Sequence, residues 1–378
     1  MGWIILLFGG VVMNLKRDTY AIVDLDHLKY NVELAHSEFK RPLMAVIKAD
    51  AYGHGYKEVA SFLKDIDYIE MFAVATLQEA IELRELGIDK GILILGAIPT
   101  SKEDIDLAIK YDISLTMVSV AYLKLLDHLI DEGQTLKVHI KLDTGMHRIG
   151  LMSKEELSTL LRLVNPDKFN VEGIFTHFAT ADGDDVAFEK QRSLFYEMVG
   201  NCKFKYIHCC NSAAMTYHRD EKSNMGRLGI TMYGCSPNGE EETKFKQVMS
   251  LYTKVAMIKK IPAGDKVGYG LTYTAKEDEY IATLPIGYAD GFIRKNQGRK
   301  VYINGKYYEI VGRVCMDQMM VRVDENVKIG DQVEIFGEHI SLESMAKDLD
   351  TISYEVLCLI SKRVPRVYVQ NGQIKELL

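Results

Sequence analysis

From residue 40 to about 235 the chain alternates short apolar runs with amphipathic stretches. The runs are 44–48, 72–76, 92–96, 115–118, 138–143, 171–177, 206–212 and 229–234. Each has strand length and near-continuous apolarity, the pattern of strands buried on both faces. The stretches between them carry helical spacing. In 78–86, Ala80, Leu83 and Leu86 share one side, Glu79, Glu82 and Glu85 another, and Gly87 follows as a stop. Eight strands alternating with helices predict an α/β fold, a (β/α)8 TIM barrel.

After residue 250 the texture changes to short alternating runs at 253–259, 280–285, 300–303, 307–314, 319–323 and 332–336. Turn signals such as Asn304-Gly305 and Gly330-Asp331 separate them. A mostly β C-terminal domain is expected, and the early run 19–25 is a candidate to join it. The expected organisation is a leader or stub at 1–13, a barrel at 14–250 and a β domain at 251–378.

The length of 378 residues suits two domains, and 47% hydrophobic with 26% charged residues reads as globular. A net charge of −7 argues against a nucleic-acid partner and favours a soluble cytoplasmic protein. The six cysteines form no C-x-x-C pair, and adjacent Cys209-Cys210 suits no common zinc spacing, so no metal is expected and the thiols read as reduced. Residues 1–15 are uncharged but too short for a stable membrane span, which needs about 20 apolar residues. The expectation is that translation starts at Met13, because the codons of Gly9-Gly10 can spell a ribosome-binding sequence. The competing reading is a stub cut from a membrane-anchored form.

Chemistry gathers where the predicted strands end, which is where barrel enzymes build their sites. The ends read Lys48, Lys141-Leu-Asp143, His177 and Asn211-Ser212. A lysine in an apolar setting loses affinity for its proton and becomes a nucleophile toward carbonyls, although most lysines are simply surface residues. No Walker loop or dinucleotide fingerprint accompanies these ends.

Several segments together resemble the blocks of the alanine racemases, in that family's order. They include Lys48-Ala-Asp-Ala-Tyr52-Gly-His-Gly55, Lys141-Leu-Asp-Thr-Gly-Met-His-Arg148, Asn211-Ser-Ala213, Gly226-Arg-Leu-Gly-Ile230, Gly268-Tyr-Gly270, Gly287-Tyr-Ala-Asp-Gly291, Arg313-Val-Cys-Met-Asp317 and Ser353-Tyr-Glu-Val356. The resemblance implies a pyridoxal 5′-phosphate (PLP) enzyme that interconverts L- and D-alanine, the D-isomer serving peptidoglycan, and a homodimer with shared active sites. It implies that Lys48 carries the cofactor and acts as one acid/base, with Tyr269 of the other subunit as the second. Tyr52, Asn211, Ser212, Gly229, Ile230 and Tyr354 are implied around the cofactor, most of them at its phosphate. His177 is implied beside its ring and Arg227 at its ring nitrogen, with His208 behind Arg227. Arg148 and the Met316 N–H are implied for the substrate carboxylate. Lys141, carbamylated in some members, is implied to support Arg148, and Tyr288 with Arg294 to narrow the entrance. Serine or broad-specificity racemases, a non-catalytic PLP carrier and an amino-acid decarboxylase are the alternatives. Tyr354 favours alanine over serine, and the β domain disfavours the carrier.

Overall fold

The computed structural model describes residues 4–8, 11–98, 101–218 and 220–377. Two compact units divide the chain: Val32–Ala51 with Tyr56–Met232, and Met1–Asn31 with Tyr52–Gly55 and Tyr233–Leu378.

The first unit is the barrel. Its strands are β1 (Leu43–Val46), β2 (Ile69–Val74), β3 (Gly91–Ile94), β4 (Leu115–Met117), β5 (Leu136–Lys141), β6 (Phe169–Phe175), β7 (Tyr206–His208) and β8 (Gly226–Leu228). All pairings are parallel, in the runs β8-β1-β2-β3 and β4-β5-β6-β7. A parallel bridge from Leu93 to Ser114 joins β3 to β4. On the other side, Arg227 N donates to Cys210 O at 2.9 Å and Asn224 N to Ile207 O at 2.9 Å, so irregular bonds close β8 on β7. A helix lies between each consecutive pair of strands. All four residues of β1 are buried, as expected of a strand covered on both faces.

Local sequence explains the helix starts. Leu77–Glu85 opens with Thr76 and Glu79 exchanging bonds with each other's backbone, a capping box. Ala80 and Leu83 are its buried residues, the apolar side expected from the sequence.

The second unit holds a ten-stranded sheet. Its order is Met257–Ile261, Glu279–Leu284, Met319–Val323, Lys306–Val311, Lys300–Ile303, Gln332–Phe336, Met249–Lys254, Tyr20–Asp24, Arg366–Gln370 and Gln373–Leu377. Asn304 and Gly305 have φ of 46° and 87°, the positive values a tight hairpin turn needs. Asp290 is fully buried and organises the loops beside the sheet. Its Oδ2 accepts from Arg17 at 2.6 Å and from Gly287 N at 3.0 Å.

Three expectations change. The eighth apolar run, 229–234, is not the strand: β8 is Gly226–Leu228, and Ile230–Tyr233 is a buried 3-10 helix. A short apolar run does not distinguish a buried strand from a buried helix. The run 253–259 is two strands, Met249–Lys254 and Met257–Ile261, which separate at Val255-Ala256. Finally, the units do not meet at residue 250. Tyr20–Asp24 finds its ladders on Met249–Lys254 and Arg366–Gln370. Tyr52–Gly55 is tied to the same sheet: Arg366 donates to Gly53 O at 3.0 and 2.8 Å, and Tyr368 Oη to His54 O at 2.9 Å.

The expected leader at 1–13 lies partly outside the described residues. Within them, Ile4–Phe8 and Val11–Leu15 form an antiparallel backbone ladder. Among the described residues no helix is long and apolar enough to cross a membrane.

Replacing Asp290 by alanine removes a buried carboxylate and strands its partners. The unfolding free energy is expected to fall by about 3–5 kcal/mol, measured by urea titration; a loss below about 1 kcal/mol would mean the ion pair behaves like an exposed one.

Candidate active site

The strand β1 ends at Val46, and Lys48 opens an unusual turn. Ala49, Asp50, Ala51 and Tyr52 have φ of 53°, 56°, 53° and 54°, four consecutive left-handed residues without a glycine. Such backbone costs about 1–2 kcal/mol per residue, so something must hold it. Glu79 does: its carboxylate accepts from Ala49 N at 2.7 Å and from Ala75 N at 2.8 Å. Asp50 accepts from Tyr56 N at 3.0 Å and secures the far end. Glu79 therefore serves two loops as well as its own helix cap, a role its place on the outer helix face does not reveal.

On β8, the strand paired directly with β1, stands Arg227, 3% exposed. Its Nη1 donates to His208 O and approaches His208 Nδ1 at 3.2 Å. Its Nη2 donates to Thr176 O at 2.8 Å and faces His177 Nδ1 at 3.4 Å. An arginine only donates, so both imidazoles receive it on Nδ1 and carry their proton on Nε2. His208 then donates from Nε2 to His139 Nδ1 at 2.9 Å. His139 Nε2 looks toward Glu172, 4.0 Å away. Polarity thus runs one way, from Arg227 through His208 to His139, whose Nε2 faces Glu172 without a hydrogen bond to it.

Electrostatics reinforces that reading. Burial, with the nearby charges of Arg227, Lys141, Arg148 and Lys48, holds His177 well below the ordinary histidine range. Burial, His139, Arg227 and Lys141 do the same to His208. Both are neutral at pH 7. Burial also lowers Arg227, to about 10, which leaves it a cation. Lys141 is pushed down to about 7, first by burial and then by Arg227. Its Nζ donates to Leu142 O at 2.9 Å and sits 5.2 Å from the centre of the Phe175 ring. Phe175 also lies under Arg227 and stacks on His208 at 4.7 Å, an apolar plate that sequence analysis passed over because a phenylalanine in a strand reads as core.

The loop after β5 is built by Asp143. Its carboxylate accepts from Gly145 N, His147 N and Arg148 N at 3.0, 2.9 and 2.9 Å. Burial would raise its pKa, but these donors and Lys141 outweigh it and hold the carboxyl below its usual range. The loop leaves Arg148 exposed. After β7, Asn211 caps the helix Ser212–Tyr217 by accepting from Ala214 N at 3.0 Å. Ser212 Oγ accepts from Gly229 N at 2.9 Å, which brings the Ser212 and Gly229-Ile230 segments together.

The remaining expected residues belong to the β unit. Tyr52 and Tyr354 lie 6.0 Å apart between ring centres, with Tyr233 at 4.8 Å from Tyr52. Burial raises the Tyr52 phenol, so it stays protonated. Tyr269 and Met316 sit on a second group of loops and are 70% and 53% exposed. The turn at Tyr269 packs on Arg313: a Cβ on Gly270 would meet its guanidinium at 2.7 Å. Tyr288 N donates to Cys315 O at 3.0 Å, joining the Tyr288 turn to the Met316 loop. Arg294 opens the short 3-10 helix Arg294–Asn296.

Two measurements check this geometry. Ala49→Gly is expected to raise the unfolding free energy by up to about 1 kcal/mol, since glycine tolerates a left-handed φ; destabilisation would show that Glu79 leaves no strain to relieve. Lys141 holds its proton less tightly folded than unfolded. Its cost to stability is therefore full below pH 7 and is relieved as pH rises toward the ordinary lysine value of about 10.4. Urea titrations from pH 7 to 10 should show stability rising more steeply in the wild type than in Lys141→Met; parallel profiles would place the Lys141 proton elsewhere.

Residues 23–237 match the family model "Alanine racemase, N-terminal domain" and residues 248–368 match "Alanine racemase, C-terminal domain". The alanine racemase of Ligilactobacillus salivarius is 43% identical over 373 residues, spanning 95% of this chain and all 100% of the relative. The crystal structure of alanine racemase from E. faecalis is 40% identical and superposes with a TM-score of 0.89, covering 95% of this chain and 100% of that one. That of Bacillus anthracis, solved with bound L-Ala-P, is 38% identical with a TM-score of 0.89, covering 97% and 98%. The barrel, the β unit and the ordered blocks along the sequence are those of one family: this chain belongs to the alanine racemases.

Proposed function

We propose that this protein interconverts L- and D-alanine with PLP as its cofactor, working as a homodimer. The observation that carries the reading is the cationic mouth of the barrel, with Lys48 beyond β1, Lys141 on β5, Arg148 beyond it and Arg227 on β8. It suits ligands with anionic groups, such as a phosphate and a carboxylate. The donor set also fits the cofactor. Arg227 spends both terminal nitrogens on protein acceptors, while its Nε makes no hydrogen bond among the described residues, leaving one N–H for a ring nitrogen.

When bound, PLP supplies the electron sink that lets the Cα–H bond of an amino acid ionise. Lys48 Nζ is assigned to hold it and to move the proton on one face of Cα. Tyr269 of a second copy is assigned to the other face, in keeping with its exposure on the single chain. Arg227 keeps the ring nitrogen uncharged, since a guanidinium gives up no proton. His208 orients Arg227, and His177, held neutral, would flank the ring without adding charge. Arg148 and the Met316 N–H bind the substrate carboxylate, the latter having no partner among the described residues. Tyr52, Asn211, Ser212, Gly229, Ile230 and Tyr354 complete the cofactor's surroundings, Lys141 supports Arg148, and Tyr288 and Arg294 limit side-chain size.

A chiral product assay with added PLP tests the reading. L-alanine should give D-alanine, L-serine little D-serine, and Lys48→Ala should lose the activity. Dominant D-serine would move the specificity; no racemisation by a PLP-loaded wild type would overturn the proposal.

A further inference from the structure

Behind the mouth of the barrel lies a cluster that the racemase reading does not use. Cys209 and Cys210 follow the last residue of β7, and both are buried, at 0% and 1% exposure. Neighbouring residues within a strand point to opposite faces. Because β7 ends at His208, these two escape that alternation, and their sulfurs lie 3.9 Å apart. Asp220, from the segment that leads to β8, is 6% exposed and brings Oδ2 to 3.4 Å from Cys209 Sγ.

We propose that Cys209, Cys210 and Asp220 form a binding site for a thiophilic divalent cation of the zinc class. The three ligand atoms all lie within 4.8 Å of one another. Tetrahedral bonds of about 2.3 Å to sulfur and about 2.1 Å to oxygen require S···S near 3.8 Å and S···O near 3.6 Å. The 3.9 and 3.4 Å separations already approach that geometry, and the third, between Cys210 and Asp220, is within 4.8 Å.

The surroundings are those of a prepared ligand set. Asp220 Oδ1 is held by Tyr196 Oη at 2.6 Å, Lys222 N at 2.9 Å and Ser223 N at 2.8 Å. Its Oδ2 is thereby left to the cysteine side, as outer hydrogen bonds orient a metal-binding carboxylate. A surface pocket lined by Tyr196, Glu197, Glu221, Arg192 and Lys222 reaches Asp220, and the fourth position of a tetrahedral ion would fall to water. Burial raises the Cys209 thiol well above its ordinary range. Binding replaces the two thiol protons with two metal–sulfur bonds and releases about two protons per cation. No oxidant is involved.

The site matters for its position. Cys209 O and Cys210 O accept from Arg227, and Asn211 and Ser212 come next in the chain. A bound ion would pin the turn that supports these residues.

The test is a cadmium titration of the reduced, PLP-loaded enzyme, following cadmium–thiolate absorption and proton release. One equivalent should bind with about two protons released. Cys209→Ser and Cys210→Ser should each remove the band, and Asp220→Asn should weaken binding by at least about tenfold. Cys202, Cys235, Cys315 and Cys358 remain in these variants and serve as the internal control. X-ray absorption of the cadmium-loaded wild type, which needs no variant, should show two sulfur neighbours. A band that survives in both cysteine variants, or a first shell with one sulfur or none, would overturn the assignment.

Discussion

The buried guanidinium of Arg227 holds this barrel in its working form. It sits on β8 yet binds the carbonyls of Thr176, after β6, and of His208 and Cys209, in and after β7. Its own N–H reaches Cys210 O, where the ladder between β7 and β8 is otherwise replaced by isolated bonds. One side chain thus gathers three strand ends at the seam of the closed sheet. Because a guanidinium donates in a fixed plane and cannot be neutralised, it imposes direction on whatever it touches.

That direction governs the protons of the site. Each imidazole facing Arg227 must present an unprotonated Nδ1, so tautomers are set along the line His177, Arg227, His208, His139. The same charge, added to burial, works against protonation of Lys141. The cluster concentrates positive charge while keeping its histidines neutral, an environment for binding anions without offering stray acids. Phe175 contributes by excluding water beneath Arg227, Lys141 and His208. Burial is what strengthens these electrostatic effects, since charges interact more strongly away from bulk water.

The turn after Lys48 shows a second kind of constraint. Four left-handed residues are retained because Glu79 and Asp50 bond the backbone on both sides of the strained segment. Strain of this sort persists only where its surroundings over-determine it, and it gathers at functional sites. Arg366 and Tyr368 then fasten the next residues, Gly53 and His54, to the β sheet.

Much was legible in the chain itself. Apolar runs buried on both faces announced a parallel barrel, alternation after residue 250 announced the β unit, and Lys48, Lys141, His177 and Asn211-Ser212 marked the strand ends. Both signals are local: periodicity reports burial, and polar residues at the end of a buried strand report its mouth. The cofactor and site roles came from the ordered blocks, since one tyrosine among 21 cannot be chosen by spacing. Tertiary structure decided what depends on distant partners. It made β8 of Gly226–Leu228 and a 3-10 helix of the apolar run beyond. It sent Tyr20–Asp24 to the β sheet through ladders with residues more than two hundred positions away. It gave Glu79, Phe175 and His139 their roles, and it carried Asp220 to two cysteines whose spacing alone argued against a metal. Hydrophobic pattern is written residue by residue, whereas a hydrogen bond or a ligand set exists only once the closed barrel has brought its members together.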